Sequence, residues 1–112
     1  MSLSIKTRKK EKTAIIELQG EIDMFVSPNF RDNLLLACNK EVKEVIVDFS
    51  RVSFMDSSGV ATLVEGLKWS KKAERSFVLR NVGTNVKNSI ALTKLDTVFK
   101  ILPNASDSEY FH

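Results

Sequence analysis

The chain has 112 residues, of which 43% are hydrophobic and 28% charged, and its formal net charge is +3. This length supports one hydrophobic core, so we predict a single domain over residues 1–112. The one cysteine, Cys38, excludes an intrachain disulfide, and no apolar run reaches the roughly 20 residues that span a bilayer. The chain does not begin with the apolar core of a secretory signal, so we expect a cytoplasmic protein.

Much of the positive charge lies near the N-terminus. A basic cluster is one mark of proteins that bind nucleic acid or an anionic membrane surface. Here the cluster has no interleaved aromatic residues and no recognition-helix pattern beside it. We therefore interpret it as the solvated turn of a hairpin, and we expect neither direct nucleic-acid binding nor membrane insertion. Its members are Lys6, Arg8, Lys9, Lys10 and Lys12.

Alternating apolar and polar residues predict two strands in the first part of the chain, joined by a polar turn into an antiparallel hairpin. A loop follows through Phe25. The pair Ser27 and Pro28 then predicts the start of a helix, with the serine as its cap and the proline at the first helical position. The apolar positions behind these predictions are Leu3, Ile5, Ala14, Ile16 and Leu18 in the strands, and Phe30, Leu34, Leu35, Leu36, Ala37 and Cys38 in the helix.

The rest of the chain continues with three strands and two helices. The nearly unbroken apolar run 45–49 predicts a strand that is buried on both faces. Apolar residues at helical spacing then predict a second helix, followed by a short strand over 77–79 and a third helix. The helical stripes are Val60, Leu63, Val64 and Leu67, then Val86, Ile90, Leu92 and Leu95, and a last strand is predicted from Val98, Phe99, Ile101 and Leu102.

This order of elements predicts an α/β domain. Its sheet is small, mostly parallel and mixed, is opened by the antiparallel hairpin, and is covered by helices. Open α/β sheets place their working sites at the carboxyl edge of the strands. Asp23 follows the second strand and Asp56 follows the central strand. We therefore expect both carboxylates at this edge, on either side of Ser58.

The loop before the second helix contains the candidate site. Asp56 or Ser57 is suited to cap the helix by accepting a free backbone N–H of its first turn. Ser58 then lies on that turn with its hydroxyl toward solvent or a partner, and Gly59 leaves the backbone uncovered so that another surface can approach. A helix start tolerates an added anion, which makes Ser58 a candidate phosphate acceptor. A capped helix start with no further role is the simpler alternative.

The side chains needed for other chemistry are missing from the sequence. The one histidine is the last residue, His112, and Ser58 has Asp56 two positions before it, where a GxSxG nucleophile elbow has glycine. The sequence contains no metal-ligand spacing and no glycine-rich nucleotide loop. We therefore expect a protein that is not an enzyme and that binds no cofactor.

Two segments resemble the STAS domain, a family named after sulphate transporters and anti-sigma factor antagonists. The segment DFSRVSFMDSSGVATLVEG, residues 48–66, is similar to the family's signature, and LQGEID, residues 18–23, is similar to the turn after its second strand. The resemblance covers the predicted elements from about Leu3 to Leu102. It implies that the chain has the fold of an anti-sigma factor antagonist and that it functions as a bacterial anti-sigma factor antagonist.

The resemblance also implies a mechanism. In its unmodified form the protein would bind an anti-sigma factor, which then releases its sigma factor. The anti-sigma factor would be a serine kinase that inactivates the protein by phosphorylating Ser58, and a PP2C-type phosphatase would reset the switch. ATP and Mg²⁺ would belong to the kinase. The residues implied in partner binding are Asp23, Asp56, Ser57, Ser58 and Gly59.

The same resemblance leaves a second function open. STAS domains also serve as small cytoplasmic subunits of lipid-transporting ABC systems, where they dock on the ATPase. The segment after the second helix, residues 68–76, does not distinguish the two functions. A serine at position 58 favours the phosphorylation switch.

Overall fold

The computed structural model describes residues 3–39 and 41–103. Within these ranges the chain forms five strands and three helices, in the order predicted from the sequence. The elements are β1 (Leu3–Lys10), β2 (Thr13–Ile22), α1 (Ser27–Ala37), β3 (Glu44–Met55), α2 (Ser57–Lys72), β4 (Ser76–Arg80), α3 (Thr84–Leu92) and β5 (Lys100–Ile101).

The strands form one sheet with the order β1-β2-β3-β4-β5. β1 pairs with β2 in antiparallel orientation, while the other three pairs are parallel. The predicted mixed α/β sheet, opened by an antiparallel hairpin, is therefore confirmed. The basic residues of the hairpin are exposed along β1 and its turn, as a solvated face requires.

The buried stripes of all three helices pack against the same face of the sheet. Val45, Val47 and Phe49 of β3 point into this core, together with alternate residues of β2 and β4. On the opposite face of β3, Ile46 is half-buried and Asp48 is buried. No residue of the run 45–49 is exposed, which explains why its apolar pattern is nearly continuous.

The buried apolar stripe of α1 is narrower than predicted. α1 buries Phe30, Leu34 and Ala37, whereas Leu36 remains 77% exposed and Leu35 is also exposed. The reason is geometric: residues spaced by three or four share a helix face, and Leu35 and Leu36 lie off it. Cys38 ends the helix as its C-cap and is half-buried. Burial raises the pKa of the Cys38 thiol.

The third helix and the last strand also differ from the prediction. α3 buries Val86 and Ile90 but ends at Leu92, which is 84% exposed. The last strand is only two residues long, and Val98 before it is exposed. The apolar positions at the end of α3 thus extend past the last helical turn that faces the sheet.

α1 and α2 are joined across their outer faces by Arg31. Its Nε lies 2.9 Å from Glu65 Oε2, and its guanidinium lies 5.5 Å from the centroid of the Trp69 ring. A cation over an aromatic face is attracted by the ring quadrupole. Trp69 is partly buried and packs against the core, and its contact with Arg31 links α2 to α1.

β3 is longer than the sequence predicts. It extends six residues past Phe49, to Met55, and pairs with β2 as far as Ile22. Two register shifts interrupt this pairing, and the second half of β3 is largely exposed. Such irregularities bend a strand, and its apolar alternation is lost there. The result is that β2 and β3 end side by side.

Asp48 anchors the opposite face of the sheet. Its carboxylate accepts from Ser50 N–H at 2.8 Å, from Arg80 Nη2 at 2.7 Å, and from Asn81 Nδ2 at 3.2 Å. Burial raises the pKa of this carboxyl, but the hydrogen bonds from Ser50 and the Arg80 guanidinium outweigh burial, and the net pKa is lowered. The ionised form is therefore the one that the fold stabilises.

Replacing Asp48 by asparagine is expected to lower the free energy of unfolding by about 2 kcal/mol near pH 7, because a buried charged hydrogen-bond network is lost. Since the folded-state pKa of Asp48 is lowered, its contribution is present above about pH 4 and disappears as the pH falls through that pKa. Urea unfolding of both proteins at neutral and acidic pH measures this difference. Glu17→Gln, which breaks the surface pair with Arg8, should cost less than about 1 kcal/mol. A pH-independent difference for Asp48→Asn would contradict the assignment.

Candidate functional site

The carboxyl ends of β2 and β3 meet at one point of the sheet edge. Ile22 and Met55 are register partners, and the Asp56 N–H donates to the Ile22 carbonyl at 3.0 Å. Asp23 and Asp56 directly follow these paired residues. The prediction that both acids lie at the same edge is confirmed.

Asp56 caps α2. Its Oδ1 accepts from the Ser58 N–H at 2.9 Å and also accepts from the Ser58 hydroxyl. Of the two cap candidates in the sequence, Asp56 is therefore the cap, and Ser57 is the exposed first residue of the helix. The capping carboxylate is thus held directly against the hydroxyl that the sequence singled out.

Ser58 is half-buried, and its hydroxyl has a second neighbour that the sequence did not predict. Its Oγ lies 2.7 Å from the Oγ of Ser27, the first residue of α1. Ser27 is only 7% exposed, and its hydroxyl also reaches the Asp23 carbonyl oxygen at 2.8 Å. The starts of α1 and α2 are therefore joined through these two serines.

The prediction that Ser27 caps α1 was wrong. Val26 is the cap residue, in helical conformation and without a side-chain cap bond. The Asp23 carboxylate satisfies the turn instead, accepting from the N–H groups of Phe25 at 2.9 Å and Val26 at 3.2 Å. An aspartate that bonds the backbone two or three residues ahead closes a turn by itself. The hydroxyl of Ser27 is thereby left for Ser58.

Asp23 and Asp56 have different relations to Ser58. The Asp56 carboxylate contacts the serine hydroxyl, whereas the Asp23 carboxylate is occupied by its own turn. Asp23 reaches the site through its backbone carbonyl and Ser27. Ser58 therefore has one carboxylate in direct contact and the partial positive charge of the α2 N-terminus beside it.

Gly59 is buried, and the reason for the glycine lies inside the chain. A Cβ at this position would stand 2.5 Å from Met55 Cγ and 2.8 Å from Ile22 Cγ2. The close packing of α2 on the ends of β2 and β3 therefore requires a residue without a side chain at this position. The approach of a partner, expected from the sequence, is a second reason for the glycine, and a contact between Gly59 and a partner stays a prediction.

An apolar rim borders the site. Phe25 is 85% exposed and Met24 is 66% exposed, both in the turn that Asp23 closes. Phe54, one residue before the end of β3, is also exposed. The sequence placed Phe25 in a loop but carried no signal that this loop exposes the ring beside the starts of α1 and α2.

The described residues form neither a metal-binding cluster nor a membrane-spanning helix. Among residues 3–39 and 41–103, no three acidic, histidine or cysteine side chains are grouped so that they would hold a metal ion. None of the described helices is long and apolar enough to cross a membrane. His112 lies outside the described residues.

The chain belongs to the STAS domain family, whose model matches residues 4–108. It is 23% identical over 101 residues to the anti-sigma-B factor antagonist of Staphylococcus aureus, and this alignment covers 90% of this chain and 94% of the relative. Its fold is that of an anti-sigma factor antagonist from Mycobacterium paratuberculosis, with a TM-score of 0.84, 24% identity and coverage of 97% and 92%. The phosphorylated form of the Bacillus cell fate determinant SpoIIAA is also similar, with a TM-score of 0.70, 21% identity and coverage of 97% and 100%.

Proposed function

We propose that this protein is an anti-sigma factor antagonist that is switched by phosphorylation of Ser58. In the unmodified form it binds an anti-sigma factor, which then releases its sigma factor. The anti-sigma factor is a serine kinase, and phosphorylation of Ser58 ends the binding. Membership of the STAS family and the relative named anti-sigma-B factor antagonist, similar over nearly its whole length, support this proposal.

The observation that carries the proposal is the contact between the Ser58 hydroxyl and the Asp56 carboxylate at the start of α2. In phosphoryl transfer the serine oxygen bonds to the γ-phosphorus of ATP, the bond from that phosphorus to the bridging oxygen breaks, and ADP leaves. The hydroxyl proton must be given up. A carboxylate that already accepts this proton in a hydrogen bond orients the attacking oxygen for the transfer.

Phosphorylation changes the charge of the site more than its fold. It adds about −1.5 to −2 charges at neutral pH, close to the Asp56 carboxylate. The N-terminus of α2 offsets part of the repulsion, by about 0.3–1 kcal/mol at an exposed helix end. A partner surface that accepts a neutral hydroxyl next to a single carboxylate then meets a strong anion. Such an uncompensated charge in an interface is costly.

The proposal assigns the remaining chemistry to other proteins. ATP and Mg²⁺ are bound by the kinase, and a PP2C-type phosphatase removes the phosphate and restores binding. The chain itself acts as a binding protein in the cytoplasm rather than as an enzyme. The alternative function, docking on the ATPase of a lipid-transporting ABC system, has no observation in its favour at this site.

Incubation with ATP and the anti-sigma factor kinase from the same genome is expected to place one phosphate on Ser58. Peptide mapping by mass spectrometry locates it. Ser58→Ala should abolish the modification, while Ser57→Ala, which removes the exposed neighbouring hydroxyl, should retain it. Phosphate on another residue, or none at all, would rule out the proposed switch.

A further inference from the structure

A line of four oxygens crosses the candidate site. It runs from the Asp23 carbonyl to Ser27 Oγ at 2.8 Å, on to Ser58 Oγ at 2.7 Å, and then to the Asp56 carboxylate. The two end oxygens can only accept hydrogen bonds, and each serine hydroxyl has one proton to donate. Three contacts therefore share two protons, and one of the contacts always lacks a donor.

The Ser58 hydroxyl donates to the Asp56 carboxylate, the stronger acceptor at this end of the line. The Ser27 hydroxyl can then donate either to the Asp23 carbonyl, at 2.8 Å, or to Ser58 Oγ, at 2.7 Å. Either choice leaves the other of these two contacts without a donor. The proton of Ser27 thus has two competing acceptors. At 7% exposure, Ser27 has little access to water as another partner.

We propose that Ser27 binds the phosphate of phosphorylated Ser58. This inference rests on Ser58 being the phosphorylation site of the proposed function. Phosphorylation replaces the Ser58 proton by phosphorus, so Ser27 becomes the one hydroxyl donor left in the line. A phosphate dianion is a stronger acceptor than a peptide carbonyl, and the Ser27 proton turns to it.

The turn between β2 and α1 keeps its shape during this change. When the hydroxyl of Ser27 leaves the Asp23 carbonyl, that oxygen still accepts the N–H groups of Val26 at 3.2 Å and Ser27 at 2.9 Å. The Asp23 carboxylate still accepts its own two N–H groups. Ser27 therefore stabilises the phosphate against the Asp56 carboxylate while the exposed Phe25 stays in place. The switch then acts through charge on a preserved surface.

Phosphoserine installed at position 58 by genetic code expansion tests the proposal without any kinase. The second ionisation of the phosphate has a pKa of about 6, and ³¹P NMR follows it directly. A hydrogen bond donated to the dianion lowers that pKa, so Ser27→Ala is expected to raise it by about half a unit. Ser27→Thr, which restores a hydroxyl, should return the pKa toward that of the parent protein.

A matched control separates this contact from a general loss of a hydroxyl near the site. Ser89 of α3 donates to the Met55 carbonyl, next to Asp56, and does not contact Ser58. Ser89→Ala should leave the phosphate pKa unchanged. Should Ser27→Ala fail to fold, Ser27→Gly removes the same hydroxyl and is expected to give the same shift.

The proposal is overturned if Ser27→Ala and Ser27→Gly titrate like the parent protein, or if Ser89→Ala shifts the phosphate pKa as much as Ser27→Ala does. Neither result bears on whether a kinase modifies Ser58, because the phosphoserine is installed during translation. Conversely, a kinase that ignores Ser58 would defeat the proposed function and leave the measured phosphate pKa as it is.

Discussion

Replacing Ser58 by aspartate is expected to weaken binding of the anti-sigma factor by at least about 100-fold, since a misplaced charge in an interface costs several kcal/mol. The new carboxylate would lie beside the Asp56 carboxylate, at the point where the unmodified chain offers a hydroxyl. The fold should tolerate the change, because Ser58 is only half-buried and acidic groups are favourable in the first turn of a helix. We expect the free energy of unfolding to change by less than about 1 kcal/mol.

Isothermal titration calorimetry against the anti-sigma factor measures the loss, with thermal unfolding as the check on folding. Ser76→Asp is the matched control. It adds the same charge at an exposed position at the start of β4, at the opposite end of the parallel strands from Ser58. Ser58→Ala should bind nearly as well as the parent protein. If Ser58→Asp binds normally, or if Ser76→Asp binds as weakly, a local charge switch is not the mechanism.

The architecture of the site was predictable because its determinants are local or topological. A helix cap is set by residues within four positions, so Asp56 was already a candidate from the sequence. Parallel strands end at the same edge, so Asp23 and Asp56 could be placed together without coordinates. The order of strands and helices followed from apolar periodicity in the same way.

The contact between Ser27 and Ser58 was not predictable, because two local interpretations of the same residue compete. A serine before a proline is typical of a helix cap, and Ser27 has that pattern. In the structure Asp23 closes the turn, which moves the start of α1 and turns the Ser27 hydroxyl toward a residue 31 positions away. Tertiary packing decides which of two nearby polar side chains accepts hydrogen bonds from the backbone N–H groups of a turn.

Side-chain direction was the second limit. Apolar composition alone did not show that Leu36 and Leu92 lie off the buried faces of their helices. In the same way, the sequence does not show which neighbours a side chain would meet at a glycine position. The sequence of the loop does not show that the side of Gly59 without a side chain faces Ile22 and Met55.

A larger side chain at Gly59 is expected to change both the stability of the fold and the geometry of the site. Gly59→Val is expected to lower the free energy of unfolding by about 3 kcal/mol, the upper end of the usual cost of overpacking a core. Even the Cβ would stand 2.5 Å from Met55 Cγ and 2.8 Å from Ile22 Cγ2, and both neighbours are fully buried. Ile22 is branched at Cβ and has little freedom to move aside.

Chemical denaturation measures the effect, which corresponds to a fall in melting temperature of roughly 10 °C or more. Gly83→Val is the matched control, because a Cβ at Gly83 meets nothing within 4 Å, and it should cost at most about 1 kcal/mol. To make room for valine, α2 must move away from the strand ends, and this separates Ser58 from Ser27. The same variant is therefore expected to lose the influence of Ser27 on a phosphate at position 58. Equal stabilities for the two valine variants would show that Gly59 does not set the position of α2.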